Sequence, residues 1–305
     1  MKTYHDITGD GGSDVLGQVQ ALHRAIADAL SGVDHLLAIG SGKGGVGKST
    51  VTMALAQSFA RRGRRVAILD ADFNGPCQAR LGGLEDSPWV PGERGLVPPR
   101  RSDGIAVVSF GSLLAESSPL AFETVSQGEQ QIWRGTREFA LLGQLLSAVD
   151  WGELDVLLFD LPPGAERTVQ YAEYLAPLDA PAGRLTGRLA FVMVTVPSDL
   201  ARGVVARSLA ALEGARGRLL GYVENMAGYF CRECGEVRPL FPEPTVELGA
   251  PCLARLPFDP ELAELCDRGW PEGAESEAAH RADELADTLW QHLGAEGNAP
   301  QETAS

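Results

Sequence analysis

The sequence lacks several features that mark membrane, secreted and nucleic-acid-binding proteins. No apolar run approaches the roughly 20 residues that a membrane-spanning helix needs. The first fourteen residues are polar and glycine-rich and contain no apolar signal-peptide core. Basic residues number 26 against 41 acidic ones, and the net charge of −15 opposes nonspecific binding to DNA or anionic lipid. We therefore expect no nucleic-acid partner and no membrane partner.

Cysteine is also scarce, which bears on the compartment. The chain has five cysteines, an odd number that cannot all form disulfides within one chain. Together with the missing signal core, this number favours reduced thiols in a cytoplasmic protein. Hydrophobic residues make up 44% of the 305 residues, which is ordinary for a globular protein with a full core. This length fits one large α/β domain or two small ones.

Short apolar runs alternate with amphipathic segments along most of the chain. Strands are predicted at 36–40, 65–70, 105–110, 155–160, 189–196, 218–224 and 252–256, and helices at 14–30, 49–62, 134–149, 198–214 and 277–293. This alternation predicts an α/β fold with a mostly parallel sheet and helices on both faces.

The domain organisation follows from the remaining segments. The Pro- and Gly-rich stretch 85–103 predicts a loop, and 178–188 predicts a surface insertion without an assigned role. No internal repeat or second core is visible. We therefore expect an N-terminal tail and amphipathic helix at 1–33, one domain at 34–275, and a C-terminal helix and tail at 276–305.

A glycine-rich segment follows the first predicted strand and precedes a predicted helix. It reads Ser41-Gly42-Lys43-Gly44-Gly45-Val46-Gly47-Lys48-Ser49-Thr50 and contains the P-loop pattern G-x-x-x-x-G-K-[ST]. In such a loop, backbone N–H groups and the start of the helix contact phosphates. Lys48 can reach the β- and γ-phosphates, and the Ser49 hydroxyl can hold Mg²⁺. Eight matching positions in this context favour an ATP site over a chance glycine-rich turn, so the α/β fold is predicted to be that of a P-loop NTPase.

Lys43 directly follows the first glycine of the loop. It resembles the signature lysine of the deviant P-loop NTPases, which include the Mrp, MinD, ParA and arsenite-pump ATPases. The resemblance implies that Lys43 crosses a dimer interface to the partner's nucleotide. A lysine solvated on a flexible loop is the alternative.

Three acidic residues stand at the ends of predicted strands. Asp160 follows four apolar residues, as in a Walker B strand, whose carboxylate holds Mg²⁺. Asp70 and Asp72 end the second strand opposite the P-loop. We predict that Asp70 contributes to the metal side and that Asp72 orients the attacking water, although either acid could instead cap the following turn. The turn after Asp160 places the Gly164 N–H as a candidate γ-phosphate sensor.

Cys231-Arg232-Glu233-Cys234 is a C-x-x-C segment in a predicted loop. Two thiolates at this spacing can bind one metal ion or one face of an Fe–S cluster. A disulfide or redox pair is the competing interpretation, although no thioredoxin-like context surrounds the segment. The other cysteines, which we predict to be small buried hydrophobes, are Cys77, Cys252 and Cys266. A tetrahedral or cluster site needs four ligands, and one loop supplies two. A homodimer would therefore supply all four.

Taken in order, these motifs resemble the Mrp/ApbC family of Fe–S cluster carrier ATPases, relatives of the eukaryotic cytosolic Fe–S scaffold ATPases. The further matching landmarks are Asp70-Ala71-Asp72 with Gly75-Pro76, Trp133-Arg134-Gly135, Trp151-Gly152-Glu153-Leu154-Asp155, Asp160-Leu161-Pro162-Pro163-Gly164, Val223-Glu224-Asn225-Met226, and Asp267-Arg268-Gly269 before Pro271. The resemblance covers roughly residues 34–275. It implies that Asn225 reads the adenine edge and that Pro257 lies near the base. It also implies that Cys231 and Cys234 of two protomers share a [4Fe–4S] cluster.

Two positions depart from that family's pattern. Members often read G-P-S where this chain has Gly75-Pro76-Cys77, and G-T-G-D where it has Gly164-Ala165-Glu166-Arg167, so a base replaces an acid. The hypothesis is therefore a slowly hydrolysing ATPase homodimer that carries a cluster to apo Fe–S proteins. A MinD/ParA-type positioning ATPase is one alternative, but the C-terminal helix has too few basic residues for a membrane or DNA surface. A zinc-stapled nucleotide-binding scaffold is the other.

Overall fold

A seven-stranded parallel β-sheet forms the centre of the protein. The computed structural model describes residues 15–109, 130–178, 187–214, 217–270 and 276–294. In chain order the strands are β1 (Val33–Ser41), β2 (Val66–Asp70), β3 (Val90–Pro91), β4 (Leu96–Val97), β5 (Ala106–Ser109), β6 (Leu154–Asp160), β7 (Leu189–Thr195), β8 (Arg218–Glu224), β9 (Tyr229–Cys231), β10 (Glu236–Arg238) and β11 (Cys252–Arg255). The helices are α1 (Val15–Ala29), α2 (Lys48–Arg61), α3 (Gln78–Gly82), α4 (Gln130–Ala148), α5 (Ala165–Leu175), α6 (Asp199–Leu212), α7 (Pro260–Cys266) and α8 (Glu277–Gly294).

The order of the strands brings the carboxyl ends of the central ones together. The order is β11-β8-β7-β1-β6-β2-β5, and every pairing is parallel. In this register Asp160 lies beside Ile39 on one side and Asp70 on the other. Ligands of open parallel sheets bind outside the carboxyl ends of the strands, where the chain leaves the sheet in opposite directions. The predicted fold class is confirmed, and the two strand-end acids are direct neighbours.

Apolar side chains on the two faces of the sheet form two buried hydrophobic clusters. Residues of β1 alternate between them: Leu37 and Ile39 face α2 and α8, whereas Leu36 and Ala38 face the layer of α1, α4, α5 and α6. Strands that are covered on both faces are expected to be apolar throughout, and β7 is buried along its whole length. Within the described residues, no helix is both long and apolar enough to cross a membrane.

Helix α8 packs as an integral part of one of these clusters. The Trp290 ring meets the Phe59 ring of α2 edge-on, with 6.0 Å between centroids. Arg62 forms ion pairs with Asp283 at 3.0 Å and with Asp287. Partly exposed ion pairs each contribute at most about 1 kcal/mol, so burial of the apolar face of α8 dominates its attachment.

Several short elements were not predicted from the sequence. The stretch 85–103, predicted to be a loop, contains the two-residue strands β3 and β4, and the predicted C-x-x-C loop is the β9–β10 hairpin. Helices α3, α5 and α7 were also missed. The predicted N-terminal tail lies outside the described residues, as does 179–186 of the insertion.

The ends of the insertion are buried, which corrects the prediction of a surface segment over 178–188. The Arg188 guanidinium donates to the carbonyl oxygens of Leu178 at 2.5 Å and of Leu30 and Val33 at 3.3 Å. Arg188 is only 5% exposed. The three carbonyl acceptors of Nε and Nη1 offset part of the cost of burying this charge. The insertion is therefore anchored to the core at its base.

A large-to-small substitution tests whether α8 belongs to the core. Leu289 on α8 is fully buried, whereas Gln291 nearby is exposed. We expect Leu289→Ala to lower the free energy of unfolding by about 3 kcal/mol, because it leaves a cavity in a packed core. Gln291→Ala should change it by less than about 0.5 kcal/mol. Urea unfolding followed by circular dichroism measures both, and equal stability of the two variants would contradict the integral packing of α8.

Candidate functional site

The glycine-rich segment forms a tight loop between β1 and α2. Gly45 and Gly47 have positive φ angles of 76° and 79°, which L side chains rarely adopt. A Cβ on Gly47 would also lie 2.1 Å from Asn225 Nδ2, so this position requires glycine for two reasons. Asn225 Nδ2 donates to the Val46 carbonyl at 2.9 Å and so connects the loop to the end of β8. The loop leads into the first turn of α2, whose unpaired N–H groups favour anions.

Lys48 and Asp160 form a buried ion pair at the centre of the site. The Lys48 ammonium contacts Asp160 Oδ1 and also donates to Ser49 Oγ at 3.2 Å. Thr52 Oγ1 lies 3.2 Å from the same carboxylate oxygen, and Gln78 Nε2 donates to the other oxygen at 2.8 Å. The structure thus brings the predicted phosphate lysine, magnesium serine and Walker B acid into one hydrogen-bonded cluster.

Asp70 is buried beside Asp160 and fixes the segment that follows β2. Its carboxylate accepts hydrogen bonds from the backbone N–H groups of Asp72, Cys77 and Gln78 at 3.2, 2.8 and 2.9 Å. Burial, followed by the negative charge of Asp160, raises the pKa of Asp70 to about 7, against the opposing effect of these donors. Both carboxylate oxygens already have backbone donors, so Asp70 shapes the loop that carries Asp72.

Asp72 and Lys43, which is itself a P-loop residue, both line a small cavity beside the loop. Both are half-buried and line a cavity of about 230 Å³ together with P-loop residues and Pro163. Asp72 Oδ1 accepts from the Gly75 N–H at 3.3 Å, in the manner of an acid that caps a turn. The predicted water-orienting acid and the signature lysine therefore share the space next to the phosphate loop.

A larger cavity lies on the other side of the P-loop. Its volume is about 410 Å³, and Asn225, Met226, Pro257 and Phe258 form one wall. Apolar residues contribute much of the remaining lining, including Leu262 and Trp270 of the C-terminal region. The structure brings Asn225 and Pro257, which are 32 positions apart in sequence, to one apolar recess that suits a flat base.

The turn after β6 has a different arrangement from the one expected. The Gly164 N–H, the candidate γ-phosphate sensor, donates to the Ser41 carbonyl at 2.8 Å in this conformation. Arg167, which replaces an acid of the family's pattern, forms an ion pair with Glu138 of α4 and lies over the Phe139 ring at 5.9 Å. The positive charge of Arg167, where the family's pattern has an acid, is therefore paired with the negative charge of Glu138 on the neighbouring helix.

The C-x-x-C segment lies at the tip of the β9–β10 hairpin. Cys231 pairs with Glu236, and Gly235, with a φ of 71°, closes the turn by donating its N–H to the Cys231 carbonyl at 2.8 Å. Hydrogen bonds from the backbone and the thiol of Cys234 and from the Glu233 N–H lower the pKa of Cys231. These donors stabilise a thiolate, which is the form that binds metals.

The other cysteines do not join this pair. Burial raises the pKa values of both Cys77 and Cys266 to about 11, which disfavours the thiolate. Of the three cysteines predicted to be buried hydrophobes, only Cys266 is buried, whereas Cys77 is half-buried and Cys252 is exposed on β11. Within the described ranges, no group of three or more His, Cys, Asp and Glu side chains could hold a metal ion. The hairpin therefore offers two thiol ligands per chain.

The cysteine hairpin is hydrogen-bonded to a wall of the larger cavity. The Phe258 N–H donates to the Gly228 carbonyl at 2.7 Å, and the Phe230 N–H donates to the Phe258 carbonyl at 3.0 Å. Arg232, between the two cysteines, lies 3.4 Å from the carboxylate of the buried Asp259. Phe258 and Asp259 both line the cavity. The two predicted sites are thus joined by backbone hydrogen bonds.

Sequence reasoning missed three residues of the site: Thr52, Gln78 and Met226. Thr52 lies one helical turn after Lys48, a spacing that places both side chains on one face of α2. Met226 follows Asn225 and has a φ of 54°, unusual for a residue other than glycine, but no sequence signal shows this. Gln78 carries no pattern at all and becomes visible only when Ser49, Asp70 and Asp160 are brought together.

Comparisons with known proteins agree with this arrangement. The family model described as ParA: NUBPL iron-transfer P-loop NTPase matches residues 32–293. An iron-sulfur cluster carrier protein of Saccharolobus solfataricus is 33% identical over 260 residues, which cover 83% of this chain and 81% of that protein. A cytosolic Fe-S cluster assembly factor NUBP1 homolog of Brugia malayi is 37% identical over 254 residues, with coverage of 80% and 76%.

Solved structures show the same fold. A nucleotide-binding protein from Archaeoglobus fulgidus, in complex with ADP, has a TM-score of 0.65 and 32% identity, and the match covers 84% of this chain and 94% of that one. The cell division ATPase MinD of Pyrococcus furiosus has a TM-score of 0.57 at 21% identity and covers 85% and 99%, which supports the fold alone. Because the family match takes in the whole sheet from β1 to β11, the chain belongs to the NUBPL iron-transfer P-loop NTPases of the ParA family and is an ATPase.

Proposed function

We propose that the protein is an ATP-hydrolysing carrier of Fe–S clusters, which holds a [4Fe–4S] cluster as cargo between two copies of the chain and passes it to apo-proteins in the cytoplasm. The observation that carries this proposal is the β9–β10 hairpin. It displays two cysteines and is hydrogen-bonded to the wall of the larger cavity. The names of the relatives from Saccharolobus solfataricus and Brugia malayi support the same cargo.

The nucleotide half of the proposal assigns the β- and γ-phosphates to the P-loop amides and Lys48. Ser49 and Asp160 would hold Mg²⁺, and Asp70 would support that side from β2. The side-chain oxygens of Ser49 and Asp160 fit such a cation, because the positive charge of the Lys48 ammonium already lies between them. Oxygen atoms are also the ligands that Mg²⁺ prefers. When bound, Mg²⁺ neutralises charge on the β- and γ-phosphates. Asn225 and Pro257 would contact the adenine in the larger cavity.

The hydrolytic half assigns distinct roles to Asp72 and Lys43. The carboxylate of Asp72 lines the small cavity beside the P-loop, where it would orient the attacking water. Lys43 lines the same cavity and would act on the nucleotide of the partner protomer. Catalysis of phosphoryl transfer consists mostly of positioning and charge stabilisation, so an acid and a cation at this place suffice without covalent chemistry.

The cargo half follows from the number of ligands. Each chain offers Cys231 and Cys234, and a [4Fe–4S] cluster takes four thiolates. The raised pKa values of Cys77 and Cys266 disfavour these cysteines as additional ligands. Two hairpins from a symmetric homodimer would therefore complete the site. An exposed cluster that each protomer holds by only two bonds is suited to transfer to a recipient protein.

The two alternatives make different demands on the hairpin. A positioning ATPase of the MinD or ParA kind would have no use for two cysteines tied to the nucleotide wall. A zinc-stapled scaffold would use the same four thiolates but would not release the metal. Metal analysis with a visible spectrum after anaerobic reconstitution distinguishes cluster from zinc.

Two lysine variants separate nucleotide binding from the action of the partner. We expect Lys48→Ala to abolish ATP binding, because the loop then lacks the cation that contacts the β- and γ-phosphates. Lys43→Ala should bind ATP normally but hydrolyse it about 10³-fold more slowly, as expected for a cation supplied across an interface. Each variant removes one charge from the same loop and so controls for the other. ATP affinity of Lys48→Ala within about threefold of wild type, or unchanged turnover of Lys43→Ala, would contradict these roles.

The two acids after β2 should respond differently to loss of charge. Asp72→Asn keeps its shape, so it should bind ATP and unfold like the wild type but hydrolyse slowly. Asp70→Asn should lower the melting temperature, because its buried carboxylate accepts several backbone N–H groups. Single-turnover hydrolysis and thermal unfolding measure the two effects. Slow hydrolysis in Asp70→Asn together with a silent Asp72→Asn would reverse the assignment.

Cysteine variants test the bridging cargo. Reconstituted wild type should contain about four irons per dimer and show broad thiolate-to-iron absorbance. Cys231→Ala and Cys234→Ala should lose both the iron and the absorbance while retaining ATP binding. Cys252→Ala removes another exposed thiol, on β11 and outside the hairpin, and this variant should bind iron like the wild type. Four irons on each monomer, or full loading of Cys234→Ala, would refute a bridging cluster.

A further inference from the structure

Gln78 is a buried polar residue that contacts three parts of the phosphate site at once. It is the first residue of α3 and is 0% exposed. Its side-chain Nε2 donates to the Ser49 carbonyl at 3.0 Å and to Asp160 Oδ2 at 2.8 Å. Its backbone N–H donates to Asp70 Oδ2 at 2.9 Å. One residue therefore connects the P-loop to both strand-end acids.

The orientation of the Gln78 amide is determined by its partners. The Ser49 carbonyl and the Asp160 carboxylate are both acceptors, so the atom that faces them must be the NH₂ group. In this orientation Gln78 Oε1 is buried and, among the described residues, has no hydrogen-bond partner. Unsatisfied buried acceptors are rare in folded proteins and often mark a place where water or an ion is bound. The NH₂ group of the Gln78 amide thus already makes its hydrogen bonds, whereas Oε1 can still accept one.

The two oxygens of Asp160 have different kinds of partner. Oδ1 accepts from Lys48 and from Thr52 at 3.2 Å, whereas Oδ2 accepts from Gln78. When Lys48 turns to a phosphate, Oδ1 loses its cation and Oδ2 keeps its amide. Oδ1 is then left beside Thr52 without a cation, while Gln78 still holds Oδ2 and so sets the orientation of the carboxylate.

We propose that Gln78 is a positioning residue of the ATPase site. Its Nε2 fixes the Asp160 carboxylate so that Oδ1 faces the water shell of Mg²⁺, and its Oε1 accepts a hydrogen bond from a water of that shell. Gln78 touches neither the phosphates nor the attacking water and acts through Asp160. This role rests on the proposed Mg²⁺ site at Ser49 and Asp160 and does not depend on the proposed cargo.

The test separates Mg²⁺ binding from nucleotide binding. Gln78→Leu removes the donor and the acceptor at nearly constant size. ADP binding is measured by calorimetry in EDTA and over a Mg²⁺ titration. We expect ADP affinity in EDTA within about threefold of wild type, because the P-loop and Lys48 are intact. The Mg²⁺ concentration for the half-maximal effect should rise about tenfold, because a charge-assisted hydrogen bond is lost.

Gln57→Leu is the matched control. Gln57 is also a buried glutamine, on α2, and its amide lies 3.5 Å from the Asp103 carboxylate, away from the phosphate site. It should show the Mg²⁺ dependence of the wild type. If Gln78→Leu does not fold, Gln78→Ala replaces it with the same expectations. The alanine variant also loses the side-chain amide and keeps the backbone hydrogen bond to Asp70.

Two results would overturn the proposal. A folded Gln78 variant with an unchanged Mg²⁺ requirement would show that the amide does not position Asp160 for the metal. An equal loss of ADP affinity with and without Mg²⁺ would show that Gln78 only shapes the P-loop through the Ser49 carbonyl.

Discussion

The buried ion pair between Lys48 and Asp160 is the interaction on which the rest of the site depends. Asp160 lies directly beside Asp70 in the sheet, so two carboxylates are buried next to each other. Lys48, only 6% exposed, is the cation that contacts Asp160. Removing one partner of a buried pair costs about 3–5 kcal/mol, so Lys48 can leave Asp160 only when another positive charge takes its place. Under the proposed function, a nucleotide that arrives with its cation would meet both needs at once, because Lys48 would contact the phosphates and Asp160 would contact the cation.

Asp70, which is buried beside Asp160, has a structural role in the loop after β2. Its pKa is raised to about 7 by burial and by Asp160, so the charged form is costly there. Backbone N–H groups from the loop after β2 offset that cost, and in doing so they set the path of the loop. On the other side of this loop, the Tyr171 hydroxyl lies 2.9 Å from the Ala71 carbonyl oxygen and 2.6 Å from the Glu138 carboxylate. The placement of Asp72 is therefore a consequence of where the chain must put its buried acids.

The sequence predicted those parts of the fold that have local signals. Strand β8 was predicted at its observed bounds, and the P-loop was visible because glycines, a lysine and a serine recur at fixed spacing. Helix α3, with five residues, and the three-residue strands of the cysteine hairpin were missed because elements this short depend on tertiary contacts. Gln78 was missed for a related reason, since its importance arises from Ser49 and Asp160, which are distant in sequence.

The hairpin and the larger cavity illustrate what only the three-dimensional arrangement can show. Arg232 is 47% exposed, so its ion pair with Asp259 is screened by water and contributes at most about 1 kcal/mol. The stronger connection is the pair of backbone hydrogen bonds by which Phe258 joins Gly228 and Phe230. A change of side-chain rotamer cannot break these backbone bonds, which connect the cavity wall to the strand that carries Cys231. Under the proposed function, any coupling between the two sites would be reciprocal, so a ligand on the cysteines would change nucleotide affinity by the same free energy by which the nucleotide changes the affinity for that ligand.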